Sequence, residues 1–116
     1  MNFKLIVALV KDDVTETVID RAREDGATGA TVITSARGEG LNPSKTFFGL
    51  TLEGQVDVVL FIVEQHMCRH ILEGINKAGR FEEQSGTGMA VQLNIEDAVG
   101  LEDQLKAIKD EIKDQL

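Results

Sequence analysis

The segment VDVVLFIV, Val56–Val63, constrains the fold more than any other stretch of the sequence. Side chains alternate sides along a β-strand. Val56, Val58, Leu60 and Ile62 therefore share one face, and Asp57, Val59, Phe61 and Val63 the other. Both sets are almost wholly apolar. Such a strand belongs in the middle of a sheet covered on both faces. Helices of the same chain can cover one face. The other needs a second cover, most simply another subunit.

The rest of the chain supplies the neighbours. FKLIVALV, Phe3–Val10, reads as a strand, and KDD after it offers Asp12 or Asp13 as a helix cap. Val14, Val18 and Ala22 then recur every four residues beside Ile19, which predicts an amphipathic helix stopping at Gly26. ATVITSA, Ala30–Ala36, is a second strand, followed by the long polar loop RGEGLNPSKTFFGLTLEGQ. After the central strand a helix runs from about Gln65 to Ala78. MAVQLNI, Met89–Ile95, is a fourth strand, and Leu101, Leu105, Ile108 and Ile112 mark a third amphipathic helix over about 101–115. The order is two split βαβ units and a helix. It predicts one α+β domain over residues 1–116, a ferredoxin-like βαββαβ sandwich with an additional C-terminal helix.

A net charge of −8 opposes binding to nucleic acid or to an anionic membrane. Cys68 is the sole cysteine, so an internal disulfide is excluded and a reducing compartment fits. The apolar run Leu5–Val10 has no small-residue cleavage site after it, and no segment approaches the length of a membrane span. These features predict a cytoplasmic protein without membrane insertion.

EQHMCRH, Glu64–His70, places two histidines and a cysteine within five residues, all of them metal-binding types. On a helix turning 100° per residue, Met67, Ile71, Ile75 and Ala78 share the apolar face, with Cys68 and Leu72 at its edge. His66 and His70 lie one turn apart on the opposite face, with Arg69, Glu73 and Lys77. The cysteine points away from the histidines, so it reads as a small core residue. The histidine pair alone can hold a metal only weakly. No metal site is expected here.

The glycine clusters are the better candidates. GATGAT, Gly26–Thr31, lies between a helix and a strand, the reverse of the order a dinucleotide fingerprint needs. It reads as a helix stop. RGEG, Arg37–Gly40, opens the long loop, where glycines allow a sharp turn and close approach to a ligand and Arg37 can meet an anion. SGTGM, Ser85–Met89, enters the fourth strand with amides left unshielded by Gly86 and Gly88, a pattern that suits phosphate. Between them, Phe47 and Phe48 are adjacent aromatics in a polar loop. They either fold onto the core or anchor a partner.

Taken together, GATGATVITSARGEG and SGTGMAVQL resemble the P-II signalling family, small trimers of ferredoxin-like chains. The first is similar to that family's second strand running into its protruding T-loop, with one extra residue before the glycines. The second is similar to its B-loop and fourth strand. The likeness covers nearly the whole chain in order and spacing, and would make residues 37–55 the T-loop and 80–88 the B-loop. It implies a homotrimer that binds an adenine nucleotide, AMP, ADP or ATP, or another small anionic effector, between subunits. Thr31 and Ile62 would lie near the adenine, Arg37, Gly38 and Gly40 at the T-loop base, and Gly86, Thr87 and Gly88 at the phosphates. The loop, with Lys45, Phe47 and Phe48, would dock on a partner, a membrane transporter by the resemblance.

The chain departs from the family pattern. Met89 stands where the family usually has a lysine, and NIEDAVGLED is acidic where the family carries two arginines. At about 1.5–3 kcal/mol per charged hydrogen bond, these losses weaken ATP in the family's usual pose by several powers of ten. Arg37, Lys45 and Arg80 remain as basic candidates. The chain has no tyrosine for modification of the loop. A CutA-like trimeric metal-binding protein, sharing the same sandwich, is the alternative. No nucleophile–base pair shows itself, so an enzyme is not expected.

Overall fold

A computed structural model describes residues 2–39, 54–84 and 87–101. The elements are β1 (Phe3–Val10), α1 (Thr15–Glu24), β2 (Thr31–Gly38), β3 (Gly54–Glu64), α2 (Gln65–Gly79) and β4 (Gly88–Asn94). Their order is the βαββαβ expected from the sequence. The additional helix expected over about 101–115 lies, but for Leu101, outside the described residues.

The strands form one sheet in the order β2-β3-β1-β4. Each neighbouring pair is antiparallel, with β1 flanked by β3 and β4. Each βαβ unit is therefore split by a strand of the other, as in a ferredoxin-like sandwich. VDVVLFIV lies inside the sheet, as its two apolar faces require.

The helices cover one face. Ile6, Ala8 and Val10 of β1 and Val59, Phe61 and Val63 of β3 are buried against Val18, Ile19 and Ala22 of α1 and Cys68, Ile71 and Ile75 of α2. On α2 the buried stripe is Cys68, Ile71, Gly74, Ile75 and Gly79, rotated from the expected Met67–Ile71–Ile75–Ala78 stripe. The rotation arises because α2 packs against α1 as well as the sheet, and Gly74 permits that approach. A Cβ on Gly74 would overlap the Asp25 carboxylate at the end of α1.

Among the described residues of the single chain, nothing covers the other sheet face. Val7 and Leu60 are paired across it, as are Leu5 with Ile62 and Leu9 with Val58. These residues are only half-buried. Ile33, Val91 and Leu93 toward the edges are 49%, 42% and 46% exposed. An apolar strip spanning four strands is larger than the isolated apolar side chains usual on a soluble surface.

Two helix starts depart from local expectation. The residue before α1 is Val14, without a side-chain cap, rather than Asp12 or Asp13. At the first helical residue the Thr15 hydroxyl instead donates to the buried carboxylate of Asp57 on β3. That carboxylate stands by the positive end of the helix, where negative charge is favourable. At α2 the cap is Glu64, whose Oε2 accepts from the backbone N–H of His66 at 2.7 Å. The long side chain reaches back to an amide that aspartate or serine usually satisfies.

Candidate functional site

The resembling segments meet at one end of the sheet. Val10 closes β1 there and pairs with Gly88 at the start of β4. Gly38, ending β2, pairs with Gly54, beginning β3. The base of the long loop and the end of the 80–88 loop thus share this end. They stand on opposite edges of the sheet, because β2 and β4 are its outer strands. Three interstrand spacings separate them, about 14 Å.

The path of β2 into the loop contains a bulge. Ile33 pairs with Val58 and Ala36 with Val56, so Thr34 and Ser35 together oppose Asp57. Ser35 adopts a left-handed conformation, φ 60°, to accommodate the additional residue. This absorbs the extra residue noted before the glycines. It also reverses the alternation. Thr31 and Ile33 lie on the open face with Leu60 and Val58, whereas Arg37 pairs with Gln55 and falls on the helix side with Asp57. Without the bulge, Thr31 and Arg37 would share a face.

The expected site residues therefore form three groups within one chain. Thr31 and Ile62 are diagonal neighbours on the open face, roughly 7 Å apart. Arg37 and Gly38 are at the other end of β2, roughly 20 Å from Thr31 along an extended strand. Thr87 and Gly88 are at the β4 edge. Gly40, Lys45, Phe47, Phe48 and Gly86 lie outside the described residues.

Much of the local polar capacity is already engaged. Arg37 is exposed and joined to Glu39 at 3.5 Å, and Arg80 to Glu83 at 3.0 Å. Arg21, Arg23 and Arg69 are likewise joined to Asp25, Asp20 and Glu73. An anion at any of these guanidiniums must compete with a carboxylate. The Thr87 hydroxyl donates to the Gln84 carbonyl at 2.8 Å, and the Thr87 N–H to the same carbonyl at 3.2 Å.

Arg80 closes α2. Its N–H donates to Lys77 and that of Phe81 to Asn76, with Arg80 itself left-handed, φ 56°. This is a Schellman arrangement with arginine at the position glycine favours. Gly79, one residue earlier, lies under the Phe81 ring, and a Cβ there would overlap it. An open cavity of about 350 Å³ lies beside this turn, between α2 and β4, and is lined by Arg69, Leu72, Glu73, Asn76, Phe81 and Met89 among others.

The EQHMCRH residues separate as expected, and the structure adds what holds them. Cys68 is buried in the core. Burial pushes its thiol pKa up, and the Lys4 ammonium partly offsets that rise. His66 Nδ1 donates to Glu64 Oε1 at 2.6 Å, while His70 Nε2 lies 3.3 Å from Asp25 Oδ1. Each imidazole is held by a different carboxylate, so the pair is not arranged as a chelate. Among the described residues no three histidine, cysteine or carboxylate side chains gather as a metal site. The two tethers escaped sequence reasoning. Only the position of Glu64 next to the helix start hinted at one.

The sequence pattern of the nitrogen regulatory protein P-II family matches residues 3–104. No curated protein sequence matches the chain. Among solved structures, a PII-like signaling protein of Thermus thermophilus is 23% identical, with a TM-score of 0.55 over 82% of this chain and 90% of that one. CPII from Thiomonas intermedia, bound to ADP, AMP and acetate, is 18% identical, with a TM-score of 0.58 over 82% and 89% of the two chains. The divalent ion tolerance protein CutA1 of Ehrlichia chaffeensis superposes with a TM-score of 0.71 over 95% and 94%, at 7% identity. At these identities the structural likenesses establish the fold.

Proposed function

Since the chain belongs to the nitrogen regulatory protein P-II family, we propose that it is a regulatory protein whose effector binds between subunits of a homotrimer. The effector is an adenine nucleotide, AMP, ADP or ATP, or another small anion. The observation that carries this reading is the placement of the two loop bases, at one end of the sheet but on opposite edges. One chain holds them too far apart to enclose a phosphate. A neighbour that sets its β4 edge beside the β2 edge of the first chain completes the site.

Two further features support it. The open apolar face supplies a reason to associate, since burying it returns about 25 cal/mol per Å². A family relative of the same fold, CPII, has been seen with ADP, AMP and acetate. Thr31 and Ile62 would face the adenine, Gly38 and Gly40 would let the loop base approach, and Gly86, Thr87 and Gly88 would meet phosphate. Arg37 would act from the helix side after release from Glu39. The loop at 37–55, with Lys45, Phe47 and Phe48, would then engage a partner, a membrane transporter by analogy with the family. Effector binding acts by favouring one loop arrangement over others.

Calorimetric titration with AMP, ADP and ATP, on protein whose mass in solution is measured by light scattering, tests the reading. A trimer that binds at least one nucleotide is the expected result. A monomer would remove the basis for it, and a trimer indifferent to all three would overturn the nucleotide reading.

A further inference from the structure

We propose that Phe81 is a positioning residue for the effector site: its ring, seated between Gly79 and Gly88, sets where the backbone enters β4 and so where the Thr87–Gly88 loop end stands. This rests on the reading above that Thr87 and Gly88 meet the effector.

Conformation does not explain glycine at these two positions. The described glycines with positive φ are Gly26, Gly54 and Gly100, and neither Gly79 nor Gly88 is among them. Space explains both. A Cβ on either would overlap the same edge of the Phe81 ring. The ring therefore rests directly on two stretches of backbone, the last turn of α2 and the first residue of β4. With Gly79 beneath the ring, the left-handed position that ends α2 falls on Arg80.

Gly88 has a neighbouring strand on one side only, since β4 is an edge and pairs there with Val10 of β1. Its second restraint is the ring, pressing from the helix layer. The intervening turn carries local hydrogen bonds, Gln84 N–H to the Arg80 carbonyl and Thr87 to the Gln84 carbonyl. Among the described residues they shape the turn without tying it to the rest of the fold. Phe81 supplies that tie, packing against the core while its outer side lines the cavity between α2 and β4. A loop end held in place before the ligand arrives binds it at lower ordering cost.

The test compares ADP binding and thermal unfolding in Phe81→Ala, Gly88→Ala, their double variant, and Leu72→Ala. Leu72 lines the same cavity from α2, so its truncation controls for lost packing. Phe81→Ala is expected to weaken ADP by about tenfold or more, a small displacement being enough for such a loss. Leu72→Ala should lower the unfolding temperature but change ADP affinity by less than about twofold, its effect being confined to packing. Gly88→Ala should bind poorly alone. The double variant should be more stable than Gly88→Ala, because the methyl has room once the ring is gone. If Phe81→Ala does not fold, Phe81→Leu keeps the apolar bulk without the flat ring and should show an intermediate loss. Folded Phe81 variants that bind like wild type, or equal losses in Leu72→Ala, overturn the proposal while leaving the nucleotide reading intact. Wild-type protein that binds neither AMP, ADP nor ATP overturns both.

Discussion

The Thr15 hydroxyl donates a 2.6 Å hydrogen bond to Asp57 Oδ2, and both residues are buried. The bond joins the first turn of α1 to β3, three residues after β3 leaves the long loop. Thr15→Val keeps the shape but strips the carboxylate of its donor, and should cost about 1–3 kcal/mol in urea unfolding. Asp57→Asn retains an acceptor oxygen and should cost less. The reverse ranking would show that the carboxylate has another principal partner.

Ser35 sits in the left-handed region at the β2 bulge. Glycine adopts that conformation freely. Ser35→Gly should therefore stabilise the chain by up to about 1 kcal/mol. A loss of stability would mean that the Ser35 side chain makes a contact worth more than the strain.

Gly74 lies where α2 meets the Asp25 carboxylate. Alanine is the better helix former by about 1 kcal/mol. Overpacking at a tight contact costs typically about 1–3 kcal/mol, so the net change for Gly74→Ala should be destabilising, by roughly 1 kcal/mol. The Asp25 links to Arg21 and His70 would be disturbed with it. A thermal scan showing greater stability would mean that Asp25 moves aside freely.

The open sheet face carries the assembly prediction. Val91, 42% exposed in the single chain, should be covered in the proposed trimer. Val91→Asp puts a charge into that contact and should yield monomers by light scattering, with helix and sheet content retained by circular dichroism. A trimer that survives the substitution would place the interface elsewhere.

Cys68 gives a pH dependence whose sign follows from its burial. The folded state holds the thiol pKa above its ordinary value, chiefly through desolvation, with Lys4 opposing. The folded chain therefore keeps the proton longer than the unfolded chain. The associated stability is complete below the ordinary thiol range near about 8.5, and is lost as pH rises from there through the folded value. The stability advantage of wild type over Cys68→Ala should be level through neutral pH and shrink above it. An advantage that grows with pH would contradict the burial.

The sequence by itself determined the strand and helix order, the central place of VDVVLFIV and the separation of Cys68 from the two histidines. Each follows from periodicity, which depends on the residue's own neighbours along the chain. It also held the two glycine loops and the extra residue ahead of RGEG. Only the tertiary structure decided what those residues touch. The start of α1, which has no side-chain cap, is tied instead to Asp57, far along the chain, because a helix start packed on a sheet can take a side-chain partner from a strand. Arg37 moved to the helix side because pairing with β3 placed the extra residue in a bulge. Gly88 read as room for phosphate, yet its missing side chain makes room for Phe81. Local pattern encodes which way a segment is amphipathic. The partner across the sheet, and the space left beside a glycine, exist only once distant segments have packed.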